Sequence, residues 1–148
     1  MYKKILVPVD GSDLSKQAIQ KAVALAKALH SELYFLHVKH MENLFYHGMV
    51  GVIFDPNAKK IYEEKIDDLC RSFLEEATTL AQSHHVKSKQ LLVENSEPYQ
   101  AIIEYATLEK CDLIFMASHG YNEIEGLLLG SQTNKVLVHS LIPVLVSK

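Results

Sequence analysis

Two stretches of this chain carry residues whose types and spacing suit the binding of an anion and a sugar. The first runs from Met116 to Leu137, MASHGYNEIEGLLLGSQTNKVL. Gly120, Gly126 and Gly130 fall there within eleven residues, and Ser131 follows the last of them. Glycine costs backbone entropy unless its freedom or its small size is used. An apolar run ends at Ala117 and a helical period begins at Ser131, so the glycines lie between the end of a strand and the start of a helix. The first N–H groups of a helix have no partner inside it. With the helix dipole they make a seat for an anion, most commonly phosphate. Ser131 is well placed as the N-cap, and the Ser131 and Thr133 hydroxyls would add donors. The second stretch is VPVDGSD, with Pro8 and Asp10 at a strand's end and Ser12 or Asp13 capping the next helix. A carboxylate at such an edge accepts hydrogen bonds from sugar hydroxyls or a base amino group. Plainer readings compete: Gly120 caps a turn, Gly130 ends the preceding apolar segment, and Asp10-Gly11 is a turn pair. Neither stretch is a P-loop or a dinucleotide fingerprint.

The elements that must position these residues are legible as alternating patterns. Five short apolar runs read as strands: Lys4–Val9, Leu33–Val38, Gln90–Val93, Asp112–Ala117 and Pro143–Val146. Most are nearly continuous, the pattern of strands buried on both faces of a parallel sheet. Between them lie segments of helical period. Leu14, Ala18, Ala22, Leu25, Ala26 and Leu29 share one face of the first. Ile61, Ile66, Leu69, Phe73, Ala77 and Leu80 share one face of the second, Ala58–His84. Pro98–Leu108, capped by Glu97 or Ser96, and Ser131–His139 complete the set. Strands alternating with helices predict one α/β domain over residues 1–148, a doubly wound parallel sheet with helices on both faces. Such sheets place ligands beyond the carboxyl ends of their strands. The connection Lys39–Asn57 is long and rich in apolar and aromatic residues, which favours a lid or a partner surface over a loop packed on its own domain.

The two stretches together resemble the universal stress protein family. The resemblance covers essentially the whole chain: the opening YKKILVPVDGS, the close SLIPVLVSK, the element order and the glycine segment. The nucleotide-binding branch of that family carries G-x-x-G-x9-G-[ST]. Here Gly120, Gly130 and Ser131 match in spacing, and Ala117 stands where the first glycine is usual. The resemblance implies strand order 3-2-1-4-5 and a stress-response module that binds ATP or another adenine nucleotide. Adenosine would lie against Pro8, Asp10 and Val38, with Met116 and Ala117 beside the ribose. The phosphates would run past Gly120 to Gly130, Ser131, Gln132 and Thr133. The family also implies a homodimer in which the final strands, residues 142–146, pair across a two-fold axis. Glu123 and Glu125 stand where relatives often carry basic residues, and no Lys or Arg lies between His119 and Lys135. The expectation is therefore modest triphosphate affinity, with Mg accompanying the phosphates. No general base for hydrolysis is evident, so ATPase activity would be slow at most. The alternatives are a family member that binds no nucleotide and works through protein partners at the 39–57 loop, and a nucleotidyl-transfer enzyme.

The rest of the chain narrows the field. Its 148 residues suit one domain, and a net charge of −3 without a basic run argues against nucleic-acid binding. Two distant cysteines, Cys70 and Cys111, make no disulfide framework or zinc knuckle and read as buried small residues. No run approaches the ~20 apolar residues of a membrane span, and the start is too soon polar for a signal peptide. The expected location is the cytoplasm. Eight histidines invite a metal reading, but His37, His40, His47, His84 and His85 lack the pairing that metals require and read as solvated loop residues. Ser118-His119 beside Asp10 suggests a hydrolytic triad only weakly, since no G-x-S-x-G elbow is present. Glu63, Glu64, Asp67, Asp68, Glu75 and Glu76 read as a solvated helix face.

Overall fold

Strand residues alternate between two hydrophobic cores, which places helices on both faces of one sheet. Ile5, Val7, Val9, Leu33, Phe35, Leu113 and Phe115 point to one core. Leu6, Tyr34, Leu36, Ile114 and Met116 point to the other. This is the period of two expected of extended chain. The structure is a computed structural model and describes residues 1–40, 55–120 and 129–148. Residues 41–54 of the long connection, including His47, lie outside that description, as do Glu123, Glu125 and Gly126.

The strands are β1 (Lys4–Pro8), β2 (Glu32–Lys39), β3 (Ser88–Glu94), β4 (Leu113–Ala117) and β5 (Val144–Ser147). They form one parallel sheet in the order β3-β2-β1-β4-β5. Among the described residues four helices accompany them: α1 (Asp13–Leu29), α2 (Pro56–Ser83), α3 (Pro98–Leu108) and α4 (Ser131–His139). Helices α1 and α2 cover the first core, through Ala18, Ala22, Val23, Leu74 and Ala77. Helices α3 and α4 cover the second, through Ile102, Ala106 and Val136. Strands β1, β2 and β4 are buried on both faces for most of their length, whereas β3 and β5 lie at the edges and are only partly covered.

Burial of side chains such as Phe35, Leu6 and Ile114, each worth about 1.5–3 kcal/mol, outweighs the ion pairs on the surface. The Lys16–Glu76 pair between α1 and α2 is 3.4 Å long with both side chains about half exposed, so it contributes at most ~1 kcal/mol.

The face of α2 differs from the sequence expectation. Cys70, Leu74, Ala77 and Ala81 are buried, while Ile61 and Leu69 are 56% and 51% exposed. The core-facing stripe is centred one position beyond Leu69, and the first turns of the helix do not bury theirs. Helix α2 also begins two residues earlier than its periodicity indicates, because Asp55 accepts hydrogen bonds from the amides of Asn57 and Ala58 and Pro56 occupies the first turn. His85 is exposed, as expected, and serves the turn that ends α2: its φ is 59°, and the Val86 amide returns to the Ala81 carbonyl at 2.9 Å. His30 and Lys110 end α1 and α3 in the same left-handed way. Both cysteines are buried and free. Burial pushes the Cys111 thiol up to about 12, so it is protonated and inert at neutral pH. Among the described residues no helix is long and apolar enough to cross a membrane.

Candidate functional site

Strands β1 and β4 are neighbours at the centre of the sheet, so the two stretches marked out by sequence leave it side by side at its carboxyl edge. At the β1 end, the Val9 amide continues the ladder by donating to the Leu36 carbonyl at 2.8 Å. The chain then turns at Asp10-Gly11. Asp10 Oδ1 accepts from the Ser12 amide at 2.9 Å, and Ser15 Oγ accepts from the Asp10 amide at 3.3 Å. Ser12 caps α1 by accepting from the Ser15 amide. Asp10 therefore does form the turn that its Asp-Gly pair indicates, and it does so at the rim of the sheet. Gly11 adopts φ +80°, and a Cβ there would lie 2.5 Å from the Phe73 ring. The left-handed backbone favours glycine, and a side chain there would force the ring to move.

His37 completes this end of the site. Sequence reading placed it among solvated loop histidines, and the structure corrects that. It lies on β2 with its ring largely covered, and Nδ1 is 2.6 Å from the Val9 carbonyl. A carbonyl only accepts, so Nδ1 carries the proton. Burial pulls the imidazole below its ordinary pKa, against smaller opposing effects of the Val9 carbonyl and Asp10, so the ring is neutral at pH 7. Its edge meets the Phe73 ring at 5.6 Å between centroids. Neither His37 nor Phe73 carries a motif that marks it in the sequence. Only packing brings both against the Asp10 turn.

At the β4 end, the Ser118 amide donates to the Ser147 carbonyl at 2.9 Å, extending the β4–β5 ladder by one rung. Two bonds then fasten the start of α4 to this exit. The Gly130 amide donates to the Ser118 carbonyl at 2.7 Å, and Thr133 Oγ1 donates to the Ala117 carbonyl at 3.0 Å. Two sequence expectations change as a result. Gly130, not Ser131, is the N-cap; its backbone is extended (φ −67°, ψ 158°) and, as glycine, it brings no capping side chain of its own. Thr133 is buried and spends its hydroxyl on Ala117, so that hydroxyl is a structural donor. Gln132 turns its carbonyl oxygen to the Tyr99 amide at 3.0 Å and ties the start of α3 to α4. Ser131 is the first helical residue and is exposed. The amides of Ser131, Gln132 and Thr133 precede the first intrahelical bond, from Asn134 to Gly130.

The remaining residues singled out by sequence lie at or near the same carboxyl edge of the sheet. Pro8 closes β1, Val38 is half-buried near the end of β2, and Ala117 closes β4. Gly120 is half-buried just beyond Ala117. The Met116 side chain is buried in the second core. Ser118 and His119 do meet, with Nδ1 3.1 Å from Oγ, contrary to the expectation for adjacent residues. Ser118 is only 4% exposed, which keeps its hydroxyl from a substrate carbonyl. Lys39, at the end of β2, is held by Asp67 at 2.7 Å, and that hydrogen bond raises its pKa. Among the described residues no three His, Cys, Asp or Glu side chains converge to hold a metal ion. A cleft of about 360 Å³ adjoins the Asp10 turn between α1 and α2, lined by Val9, Gly11, Ser15, Ile19, Phe73 and Ala77 among others.

The profile of the universal stress protein family matches residues 1–148. The chain belongs to the universal stress protein family. Among relatives within that family, universal stress protein MJ0531 of Methanocaldococcus jannaschii is 31% identical over 148 residues, covering 100% of this chain and 83% of that protein. Hypothetical protein MJ0577 of the same organism, whose structure is solved, superposes with a TM-score of 0.83 at 28% identity, covering 100% of this chain and 96% of that one. A universal stress protein solved in complex with cAMP superposes with a TM-score of 0.65 at 25% identity, covering 99% of this chain and 96% of that one. The sheet order and the parallel architecture are those of the family, as the sequence resemblance implied.

Proposed function

We propose that this universal stress protein binds an adenine nucleotide at the carboxyl edge of β1 and β4 and acts as a stress-response regulatory module in the cytoplasm, not primarily as an enzyme. One observation carries the reading: α4 starts on Gly130, a cap with no side chain, fastened to the exit of β4 beside the Asp10 turn. A capping side chain would compete with an incoming anion for the first amides of the helix, and glycine does not. The phosphates would lie at Gly120, Gly130 and the first turn of α4. Asp10 would accept from the ribose, and Pro8 and Val38 would border the base. The cAMP complex of the 25% identical relative supports an adenylate as the ligand. A divalent ion such as Mg would be carried by the phosphates, because the described side chains offer no cluster for it.

We also propose a homodimer through β5. The Pro143 and Ser147 carbonyls bond to β4, so by alternation the main-chain groups of Val144 and Val146 face the open edge. Leu137, Val138, Leu141 and Leu145 expose apolar surface on the neighbouring segments.

Denaturing freshly purified protein should release adenine nucleotide, and titration of stripped protein with ATP, ADP and AMP should show saturable binding. Gly130→Val should abolish both; because Gly130 is buried and valine is a poor helix cap, circular dichroism and a thermal melt of the variant would confirm that the fold persists. Absence of release together with absence of binding would refute the adenylate and favour the reading in which the protein acts through protein partners.

A further inference from the structure

We infer that His37 is a positioning residue of the adenylate site: its imidazole replaces the rung that β1 gives up after Val9, and so sets where Asp10 leaves the sheet. This inference rests on the nucleotide reading above. Strand β1 pairs with β2 in register through Pro8 and Leu36. Val9 keeps one further bond, from its amide to Leu36. In a continuing parallel ladder the next rung would bring the Val38 amide to the Val9 carbonyl. That carbonyl instead takes the Nδ1 proton of His37 at 2.6 Å. A side chain in place of a rung lets the main chain bend away while the last carbonyl stays anchored and satisfied inside the core, where Val9 is buried.

The turn is held from two directions. On its far side, Ser12 and Ser15 of the α1 start hold the Asp10 carboxylate and amide. On its near side the anchors are the two bonds of Val9 to β2, and the Phe73 ring closes the space between His37 and Gly11. The near-side bonds tie the chain at Val9, next to Asp10, directly to β2 and, through the sheet, to the Gly130 start of α4, whereas the far-side bonds reach the sheet through the packing of α1. Loss of the imidazole should therefore disturb the distance between the carboxylate and the phosphate seat, while the seat itself, built on Ser118, Ala117 and Thr133, stays intact. A ligand that spans both ends should lose affinity, and a ligand that uses the phosphate end alone should not.

The test compares His37→Leu, His37→Asn and His37→Gln with the wild type, all stripped of nucleotide. Binding of ADP and of inorganic tripolyphosphate is measured by calorimetry, and the imidazole tautomer of the apo wild type by ¹⁵N NMR. The Asn amide nitrogen occupies the place of Nδ1 along the side chain, whereas that of Gln corresponds to Nε2. The wild type should show a protonated Nδ1 that exchanges slowly. His37→Leu and His37→Gln should lose about tenfold or more in ADP affinity, His37→Asn should recover most of it, and tripolyphosphate binding should be unchanged throughout. An apo wild type protonated on Nε2 overturns the proposal. So does equal loss for both ligands, rescue by Gln and not by Asn, or undiminished ADP binding in His37→Leu. A wild type that binds no adenine nucleotide at all sinks the adenylate reading and this one with it, an outcome distinct from nucleotide binding that is indifferent to His37.

Discussion

Gly11→Ala isolates the feature that lets β1 release Asp10 at the rim. Two costs add. The backbone at Gly11 has φ +80°, and an L side chain in the left-handed region costs about 1–2 kcal/mol. The new Cβ would also sit 2.5 Å from the Phe73 ring carbons, and overpacking of this kind costs about 1–3 kcal/mol. The ring is the far end of a side chain and borders the 360 Å³ cleft, so it can yield, and the lower half of that range applies. The sum is about 2–4 kcal/mol, equivalent to a fall of roughly 5–15 °C in Tm for a chain of this size. Thermal and urea melts of Gly11→Ala, Phe73→Leu and the double variant would resolve the two costs. With Phe73 shortened, Gly11→Ala should cost only the conformational part, about 1–2 kcal/mol. Gly11→Asn, which tolerates the left-handed region but keeps the clash, should show mainly the steric part. A Gly11→Ala protein within ~0.5 kcal/mol of the wild type would refute the reasoning, because neither the backbone angle nor the ring contact would then be real constraints.

Three further outcomes follow from the same geometry. The pKa of His37 is lowered in the folded chain from its ordinary 6.5, so below pH 6.5 the unfolded chain takes up the proton first and stability falls with pH until the folded ring also titrates. Urea melts should show the wild type losing more stability than His37→Asn between neutral pH and that point, with no difference in slope above pH 7; parallel profiles would contradict the buried neutral ring. Thr133→Val removes the hydroxyl that satisfies the Ala117 carbonyl and should cost about 1–3 kcal/mol, whereas Thr133→Ser should cost far less; equal stability of the Val variant and the wild type would rule out that bond. Val146→Pro removes an outward N–H of β5 without touching the β4 ladder, and should convert the proposed dimer to monomer in sedimentation experiments; a wild type that sediments as a monomer rejects the β5 interface.

The elements of this fold were written locally. The continuous apolar runs of β1, β2 and β4 are what burial on both faces demands, and their alternation with helical segments left few topologies. Boundaries moved by a residue or two where caps intervened, as at Asp55, because capping depends on a single side chain and not on periodicity. The glycine spacing and the Asp10 turn were also readable, since both depend on neighbours in sequence. The α2 stripe was harder: Leu69 and Cys70 lie one helical step apart, and only the position of the sheet chose between them.

What the sequence determined by itself was therefore the series of strands and helices and the presence of a carboxylate and uncluttered main chain just past two strand ends. Tertiary structure decided what those residues do. It set β1 beside β4, turned the Thr133 hydroxyl inward to Ala117, left the cap of α4 to Gly130 and buried His37 on the Val9 carbonyl. Each of these is a contact between residues distant in the chain or a choice between adjacent candidates. Local propensity and periodicity carry no information about such contacts, because their energies exist only once the sheet has brought the partners together.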